Sequence, residues 1–321
     1  MKKLIVCLAA IATFGTTWAQ TKWDLPSGYG ANTFQVQNLM QFAEGVDKAT
    51  GGKMKINVHP NASLFKANEI KRAVQSAQVP MGEFILSGAS NEAPVFGVDS
   101  IPFLATSYAD SRRLDTASRA LLVKTLAGQG MKLLYTVPWP PQSLYSVKPV
   151  ASLKDLKGTK MRAYNPATSF IATAVGAQPV TIQLAELPAA LATGGVDNFL
   201  TSSASGVDSK LHESVKNFYA VAAWLPRNAV VVNFKLFEAL DKQSQEAVLQ
   251  QAAAAEQRGW KLSEQKDGEY MKELAAKGMK IDATADGLKK ELSAIGERMT
   301  ADWVKIAGDD GKAVIDAFNK K

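Results

Sequence analysis

The segment Gly158-Thr-Lys-Met-Arg-Ala-Tyr-Asn-Pro166 has the pattern of a short strand, residues 159–164, that runs directly into a helix. Asn165 suits the N-cap of that helix, and Pro166 suits its first position, where a missing N–H is tolerated. Arg162 then lies near the strand exit, beside a helix start that favours negative charge. Its guanidinium can give a carboxylate two parallel N–H donors, although a surface arginine on an edge strand would show the same local pattern.

Strands and helices alternate along the rest of the chain. Residues 33–50 have the pattern of an amphipathic helix, Gly51-Gly52 ends it, and residues 53–59 alternate as a strand. This alternation favours mixed, mostly parallel sheets flanked by helices. Ligands of such sheets sit beyond the carboxyl ends of the strands, where residues 27–32 and 87–91 fall. Shorter predicted elements are a helix over about 66–76, a buried strand over 84–86 and an extended turn over 98–104.

Two stretches suit crossings between separate lobes. Pro138-Trp-Pro-Pro141 forms a stiff corner, because prolines do not belong in the centre of a regular sheet. Residues 218–232 are almost continuously apolar and long enough for a second crossing. Residues 237–274 predict a long helix that spans both lobes, with Gly259 as the point where it changes lobe. We therefore predict that lobe I comprises 20–138 and 228–258, and that lobe II comprises 139–227 and 259–321.

The first residues have the pattern of a secretory signal peptide, residues 1–19. Met1-Lys-Lys is a basic start, residues 4–15 are apolar and uncharged, and Ala19 is a small residue at the expected cleavage point. A lipoprotein cysteine at Cys7 is the alternative, but almost no hydrophobic core precedes it. Cys7 is the only cysteine, so the mature chain would have no disulfide and no thiolate site. We expect a soluble protein of a Gram-negative periplasm, without stable membrane insertion.

The charge distribution argues against nucleic-acid binding. The formal net charge is +7, and removal of Lys2 and Lys3 with the signal would lower it by two, to +5. The basic residues are spread along helices and loops, without a dense run and without interleaved aromatic residues, so they indicate a solvated surface. His59 and His212 lack the spacing of a metal site. Neither a metal nor another cofactor is expected.

Several short motifs occur in an order typical of one known family. They are Gly51-Gly-Lys53, Ile101-Pro-Phe-Leu104, Leu153-Lys-Asp-Leu-Lys-Gly-Thr-Lys-Met-Arg162, Gly176-Ala-Gln-Pro179, Leu184-Ala-Glu186 and Gly195-Val-Asp197. The mature chain resembles the DctP-like solute-binding proteins of tripartite ATP-independent periplasmic (TRAP) transporters over essentially its whole length. The resemblance implies a monomeric, two-lobed α/β binding protein with a type II-like fold, which closes on an organic acid and delivers it to membrane permease subunits. It also implies that Arg162 pairs with the ligand carboxylate.

One departure from the family pattern bears on the ligand. Many family members follow the Val-Asp pair with Gly-x-Glu-Asn or Gly-x-Glu-Trp, whereas this chain has Asn198-Phe-Leu-Thr201. The difference argues against a bound metal ion and against a heavily hydroxylated ligand. Members that bind sialic acid also bring a second arginine from the crossing corner, where this chain has Gln142.

The candidate ligand contacts combine aromatic walls with polar groups at strand exits. Trp139, Phe199 and Tyr145 suggest a partly aromatic pocket, although Phe199 would equally suit the core and Trp139 would equally cap the hinge. Glu83 fits a hinge partner better than a ligand contact, and Arg227 is either a hinge charge or a second anion contact. The predicted ligand set is Arg162, Trp139, Asn165, Phe199, Thr201, Ser87, Asn91, Tyr29, Asn32 and Gln142.

These features favour a transport receptor over two other classes of protein. A periplasmic hydrolase would need a nucleophile elbow, a cysteine nucleophile or a paired-histidine motif, and the sequence has none of them. A protein that presents a ligand to a sensor would have the same sequence features as a transport receptor. The expected ligand is a monocarboxylate with an apolar or aromatic body, such as a 2-oxo or 2-hydroxy acid, and a sugar acid is the alternative.

Overall fold

A computed structural model of the protein describes residues 20–320, so the predicted signal peptide lies outside the described residues. The strands are β1 (Thr21–Pro26), β2 (Met54–His59), β3 (Met81–Ile85), β4 (Met131–Pro138), β5 (Gln142–Ser146), β6 (Lys160–Ala163), β7 (Gln178–Thr181), β8 (Asn198–Ser202), β9 (Asn217–Tyr219), β10 (Arg227–Asn233) and β11 (Lys280–Asp282). The helices are α1 (Phe34–Ala49), α2 (Ile70–Gln75), α3 (Tyr108–Gly128), α4 (Pro166–Ala174), α5 (Leu187–Ala192), α6 (Ser203–Asp208), α7 (Phe234–Glu238), α8 (Lys242–Ala276) and α9 (Asp286–Asn319). Within residues 20–320, none of the helices is apolar over a length that could cross a membrane.

The strands form sheets in two lobes. In the first lobe, β1 pairs with β2, and β10 lies between β3 and β4. The second lobe contains a six-stranded sheet in the order β11-β9-β5-β8-β6-β7. Among the described residues, four strand pairings are parallel and four are antiparallel, so the sheets are mixed without the predicted excess of parallel pairs. The antiparallel pairs all involve β5 or β10, the strands that follow the two crossings.

Each lobe has its own hydrophobic core. In the first lobe, Leu25, Phe42 and Tyr135 pack between the sheet, α1 and α8. In the second lobe, Tyr145 and Phe218 belong to a fully buried cluster beside the six-stranded sheet. The chain passes from the first core to the second between β4 and β5 and returns between β9 and β10. These crossings fall within the two stretches that the sequence indicates.

The long helix predicted over residues 237–274 is divided in two. Asp241 ends the preceding turn and caps α8 by accepting a hydrogen bond from the backbone N–H of Ser244. From there α8 runs for 35 residues, packing on α1 and β4 of the first lobe and on α6 of the second. Gly259 is not a bend in this helix. A side chain there would collide with Val137, so the glycine instead permits close approach to β4.

The last helix contacts both lobes. Its first part places Leu288 and Leu292 in a second-lobe core, whereas Trp303 and Phe318 pack against α3 in the first lobe. Gly308 interrupts the helix with φ 59° and ψ −142°, a conformation that residues with a side chain rarely adopt. The range predicted for lobe II therefore contains a segment that packs on lobe I.

Three short elements differ from their predicted bounds. The helix expected over 66–76 is α2, which is shorter, and the strand expected over 84–86 is β3, which begins three residues earlier. The turn expected over 98–104 overlaps a 3₁₀ helix at Pro94–Ser100. Since β3 begins at Met81, Glu83 lies inside a strand rather than before it.

Arg227 lies at the start of β10 and ties three elements of the first lobe together. Its side chain is 1 % exposed and forms ion pairs with Asp99 and with Asp115 on α3. Its backbone N–H also donates to Asp99 Oδ2 at 3.0 Å. The guanidinium thus has two carboxylate partners, which places Arg227 at the second crossing rather than among the residues that line the ligand cavity.

We predict that Arg227→Ala lowers the free energy of unfolding by about 3–5 kcal/mol, because it leaves the buried Asp99 without a counterion, whereas Asp115 keeps its pair with Arg119. Urea unfolding followed by circular dichroism measures this difference. Lys305→Ala, which breaks an exposed ion pair with Asp302, should change stability by less than about 0.5 kcal/mol. Equal effects of the two substitutions would contradict the assignment.

Candidate functional site

A cavity of about 220 Å³ lies between the two lobes. The first lobe and the segment that leaves it contribute lining residues that include Tyr29, Glu83, Ile85 and Trp139, and the second lobe contributes Gln142, Arg162, Tyr164, Leu184 and Thr201. Arg162 and Thr201 lie at or near the carboxyl ends of β6 and β8. This position agrees with the general placement of ligands at the edge of α/β sheets.

Arg162 is the principal charge of the second-lobe wall. Its side chain is almost completely buried, at 4 % exposure, and its Nε donates to the Ile182 carbonyl oxygen at 2.8 Å. The guanidinium lies over the Tyr164 ring at 4.9 Å. Within residues 20–320 it has no ion pair, and its two terminal nitrogens have no hydrogen-bond partner. Burial lowers the pKa of Arg162 to about 10, so it is still a cation at neutral pH.

Trp139 and Tyr29 form an aromatic corner of the cavity. Their ring centroids are 4.9 Å apart in an edge-to-face arrangement. Trp139 Nε1 donates to Asn228 Oδ1 at 2.9 Å, and the Tyr29 hydroxyl donates to the same oxygen at 3.3 Å. Because Asn228 satisfies the polar atoms of both rings, their apolar surfaces are available to line the cavity.

Glu83 lies in the first-lobe wall on β3 and is 2 % exposed. Its Oε2 accepts a hydrogen bond from the Ser27 hydroxyl at 2.6 Å, and its Oε1 accepts one from Asn228 Nδ2 at 3.0 Å. Burial raises the pKa of Glu83, although both hydrogen bonds oppose that effect. The sequence favoured Glu83 as a hinge partner, but the structure places it among the residues that line the cavity.

Gln142 and Tyr164 connect the crossing corner to the Arg162 strand. Gln142 Nε2 donates to the Pro140 carbonyl oxygen at 3.1 Å, and the Tyr164 hydroxyl donates to Gln142 Oε1 at 3.4 Å. Tyr164 was not among the predicted ligand residues. Its position two residues after Arg162 was the available signal, because residues i and i+2 of an extended chain share one face.

Five of the predicted ligand residues lie outside the set that lines this cavity. Phe199 is fully buried in the second-lobe core, where its ring stacks on Tyr145 at 5.0 Å between centroids. Asn91 is exposed. Asn32 is also exposed; it donates to the Asp208 carbonyl oxygen and borders a separate cavity of about 180 Å³. The other two, Asn165 and Ser87, are hydrogen-bonded to each other.

The Asn165–Ser87 hydrogen bond joins the lobes directly. Asn165 Nδ2 donates to Ser87 Oγ at 2.8 Å, and both side chains are buried. Asn165 Oδ1 accepts from the Thr168 backbone N–H at 2.8 Å, so the same side chain caps α4 as the sequence predicts. One residue therefore connects the helix that follows Arg162 to the first lobe.

The rim of the cavity carries side chains of both positive and negative charge. Lys71 is paired with Glu92, and its ammonium group lies 5.6 Å from the centroid of the Phe96 ring. Arg72 is exposed nearby and also borders the cavity. In the described part of the chain, no group of three or more His, Asp or Glu side chains has the geometry to hold a metal ion.

The fold and this cavity define a two-lobed binding protein with a site for a small ligand between its lobes. A family model for bacterial extracellular solute-binding proteins of family 7 matches residues 27–308. The chain belongs to this family, which is one of solute-binding receptors rather than enzymes. The predicted relation to the solute-binding proteins of TRAP transporters is therefore confirmed, and these receptors bind small carboxylates and work with a membrane permease.

Solved structures of similar proteins share the fold closely. DctP6, an extracytoplasmic solute receptor of Bordetella pertussis that binds pyroglutamic acid, is 51% identical with a TM-score of 0.92, covering 94% of this chain and 100% of that one. DctP7 from the same organism, also binding pyroglutamic acid, is 43% identical with a TM-score of 0.92, over 94% and 100%. A marine metagenome TRAP protein specific for pyroglutamate is 41% identical with a TM-score of 0.92, over 94% and 99%. These similarities confirm the predicted two-lobed fold.

We predict that Arg162→Met makes the ligand-free protein more stable, by about 1–2 kcal/mol. The lowered pKa of Arg162 corresponds to roughly 3 kcal/mol against the charged form in the folded state. Loss of the bond to Ile182 offsets about 1 kcal/mol of the gain. Urea unfolding of protein refolded without ligand measures the difference, with the exposed Arg298→Met as the matched control. A destabilised Arg162→Met would show that the guanidinium is already compensated within the protein.

Proposed function

We propose that this TRAP solute receptor captures pyroglutamate, a five-membered lactam with one carboxylate. The observation that carries the proposal is the buried guanidinium of Arg162, which lines the cavity between the lobes and has no carboxylate partner in the described part of the chain. Three similar proteins, 41–51% identical, have pyroglutamate or pyroglutamic acid as their ligand. The ligand carboxylate would supply the missing counterion.

Arg162 would hold the carboxylate through its two terminal nitrogens. Nε is already engaged by Ile182, which fixes the plane of the guanidinium and directs the remaining donors. Charge-assisted hydrogen bonds of this kind contribute roughly 1.5–3 kcal/mol each. Tyr164 beneath the guanidinium keeps water from its other face, so the pair would form in a medium of low polarity.

The size and lining of the cavity support a compact acid. The aromatic corner of Trp139 and Tyr29 offers apolar surface to a small ring. Gln142 stands where the family resemblance places a second arginine in members that bind sialic acid, and the aromatic corner favours a compact apolar body over a heavily hydroxylated one. A 2-oxo or 2-hydroxy acid with a compact body would pair with Arg162 through its carboxylate in the same way.

The chain would act as a periplasmic receptor without chemistry of its own. After export by the predicted signal peptide, it would close on the ligand as a monomer and release it to the permease when the lobes open. Incubation with pyroglutamate followed by liquid chromatography and mass spectrometry should recover the ligand unchanged. Steady production of glutamate or another product would instead indicate an enzyme.

We predict that pyroglutamate binds the wild-type protein in isothermal titration calorimetry and that Arg162→Ala weakens binding by at least about 100-fold. Arg162→Lys should recover only part of the affinity, because an ammonium group cannot form two parallel bonds. Arg298→Ala, at an exposed position outside the cavity, is the matched control and should bind normally. Unchanged affinity in Arg162→Ala would refute the carboxylate assignment, and tighter binding of hexuronates than of pyroglutamate would refute the ligand.

We predict that Ser87→Ala weakens pyroglutamate affinity by about 3- to 10-fold through faster dissociation. The substitution removes one hydrogen bond that holds the lobes closed, worth about 1 kcal/mol, without touching Arg162. Stopped-flow measurement of association and dissociation separates the two rates, and most of the change should appear in dissociation. Ser63→Ala, an exposed serine in the first lobe, should behave as wild type. An unchanged dissociation rate in Ser87→Ala would argue against a closing role.

A further inference from the structure

We propose that Glu83 determines specificity by accepting a hydrogen bond from the ring N–H of the ligand, so that the receptor selects lactams over acids that lack this donor. The inference rests on the proposed function and names a second contact for the same ligand. Arg162 recognises the carboxylate, which many acids carry. Glu83 would recognise the feature that separates pyroglutamate from other compact acids.

The cavity contains two buried ionisable groups of opposite type that are not paired with each other. Glu83 lies in the first-lobe wall and Arg162 in the second-lobe wall, and no ion pair joins them or connects either one to another described residue. A buried charge without a partner is strongly unfavourable. A ligand such as pyroglutamate, whose ring N–H adjoins the carbon that bears the carboxylate, would offer a partner to both groups at once.

The hydrogen bonds around Glu83 show that it acts as an acceptor. Asn228 Oδ1 accepts from Trp139 and from Tyr29, so its NH₂ group must point to Glu83. The Ser27 hydroxyl oxygen accepts from the Tyr29 backbone N–H, which leaves its proton for Glu83. Every described partner of Glu83 is therefore a donor.

Glu83 also keeps acceptor capacity for a ligand. An ionised carboxylate has about four lone-pair sites, and the described residues occupy one on each oxygen. The side chain is 2 % exposed and its residue lines the cavity, so the remaining sites face other protein atoms or the cavity contents. The Asn228 amide and the Ser27 hydroxyl hold the carboxylate in one orientation before a ligand arrives.

The two contacts would lie on different lobes, which links recognition to closure. Glu83 is on β3 of the three-stranded sheet, and Arg162 is on β6 of the six-stranded sheet. A lactam that engages both would bridge the lobes. An acid that lacks the N–H would be held by the second lobe only and would bring an electron-rich atom against the Glu83 carboxylate.

The test compares pyroglutamate with its lactone isostere, 5-oxotetrahydrofuran-2-carboxylate, in which a ring oxygen replaces the N–H. Calorimetry on the wild-type protein should show at least a 100-fold preference for the lactam, because a site built around a buried acceptor rejects a ligand that leaves it unpaired. In Glu83→Gln the preference should fall to about tenfold or less, since the introduced side-chain amide can donate to the lactone oxygen. Glu238→Gln, an exposed change on α7, should keep the wild-type ratio.

Two results would overturn the role of Glu83. One is lactone binding to the wild-type protein within threefold of the lactam, which needs no variant and is independent of how Glu83→Gln folds. The other is an unchanged lactam-to-lactone ratio in a Glu83→Gln protein whose thermal unfolding is normal. In both cases pyroglutamate still binds and the proposed function stands. Failure of pyroglutamate to bind the wild-type protein would overturn the proposed function together with this inference.

Discussion

A buried guanidinium without an internal counterion is the constraint on which the binding site depends. A protein of this size could have placed a carboxylate beside Arg162, as it does for Arg227, which has two. At Arg162 it instead supplies one carbonyl oxygen and one aromatic ring. The contrast separates the two arginines by role. Arg227 links elements of the first lobe through ion pairs with Asp99 and Asp115. Arg162 has no such counterion within the described residues, so a ligand carboxylate can supply one.

Such a charge can be maintained only by a rigid frame, and the second lobe supplies it. β6 lies between β7 and β8 in the six-stranded sheet, and Met161 beside Arg162 is anchored in the hydrophobic core. Beyond the strand, Asn165 caps α4 and bonds to Ser87 of the first lobe. The segment therefore holds the guanidinium in the strand and contacts the first lobe at the helix start. The amide side chain of Asn165 thus both caps the helix and joins the two lobes.

The sequence predicts the local features of this site, but it does not predict which side chains reach the cavity and which are buried in the core. The cap at Asn165, the position of Arg162 near a strand exit and both crossings follow from residue types and their order. Phe199 and Thr201 show the limit, because both lie on β8 at alternate positions and share a face. Thr201 reaches the cavity at the end of the strand, while Phe199, two residues earlier, stacks on Tyr145 in the core. The position of Glu83 shows a related limit: its strand begins three residues earlier than its apolar pattern suggests, so Glu83 lies in the strand and lines the cavity.

The separation of Glu83 from Arg162 matters as much as the presence of either. If the two side chains touched, they would form a buried ion pair that satisfied itself and offered little to a ligand. Because the two side chains lie on walls that belong to different lobes, neither one serves as the counterion of the other. The network through Asn228 adds a directional element, because its amide is oriented by Trp139 and Tyr29. The aromatic rings, the Asn228 amide and the Glu83 carboxylate therefore form one hydrogen-bonded unit. The rings that would enclose a ligand also orient the amide, and the amide in turn orients the carboxylate that the ligand would contact.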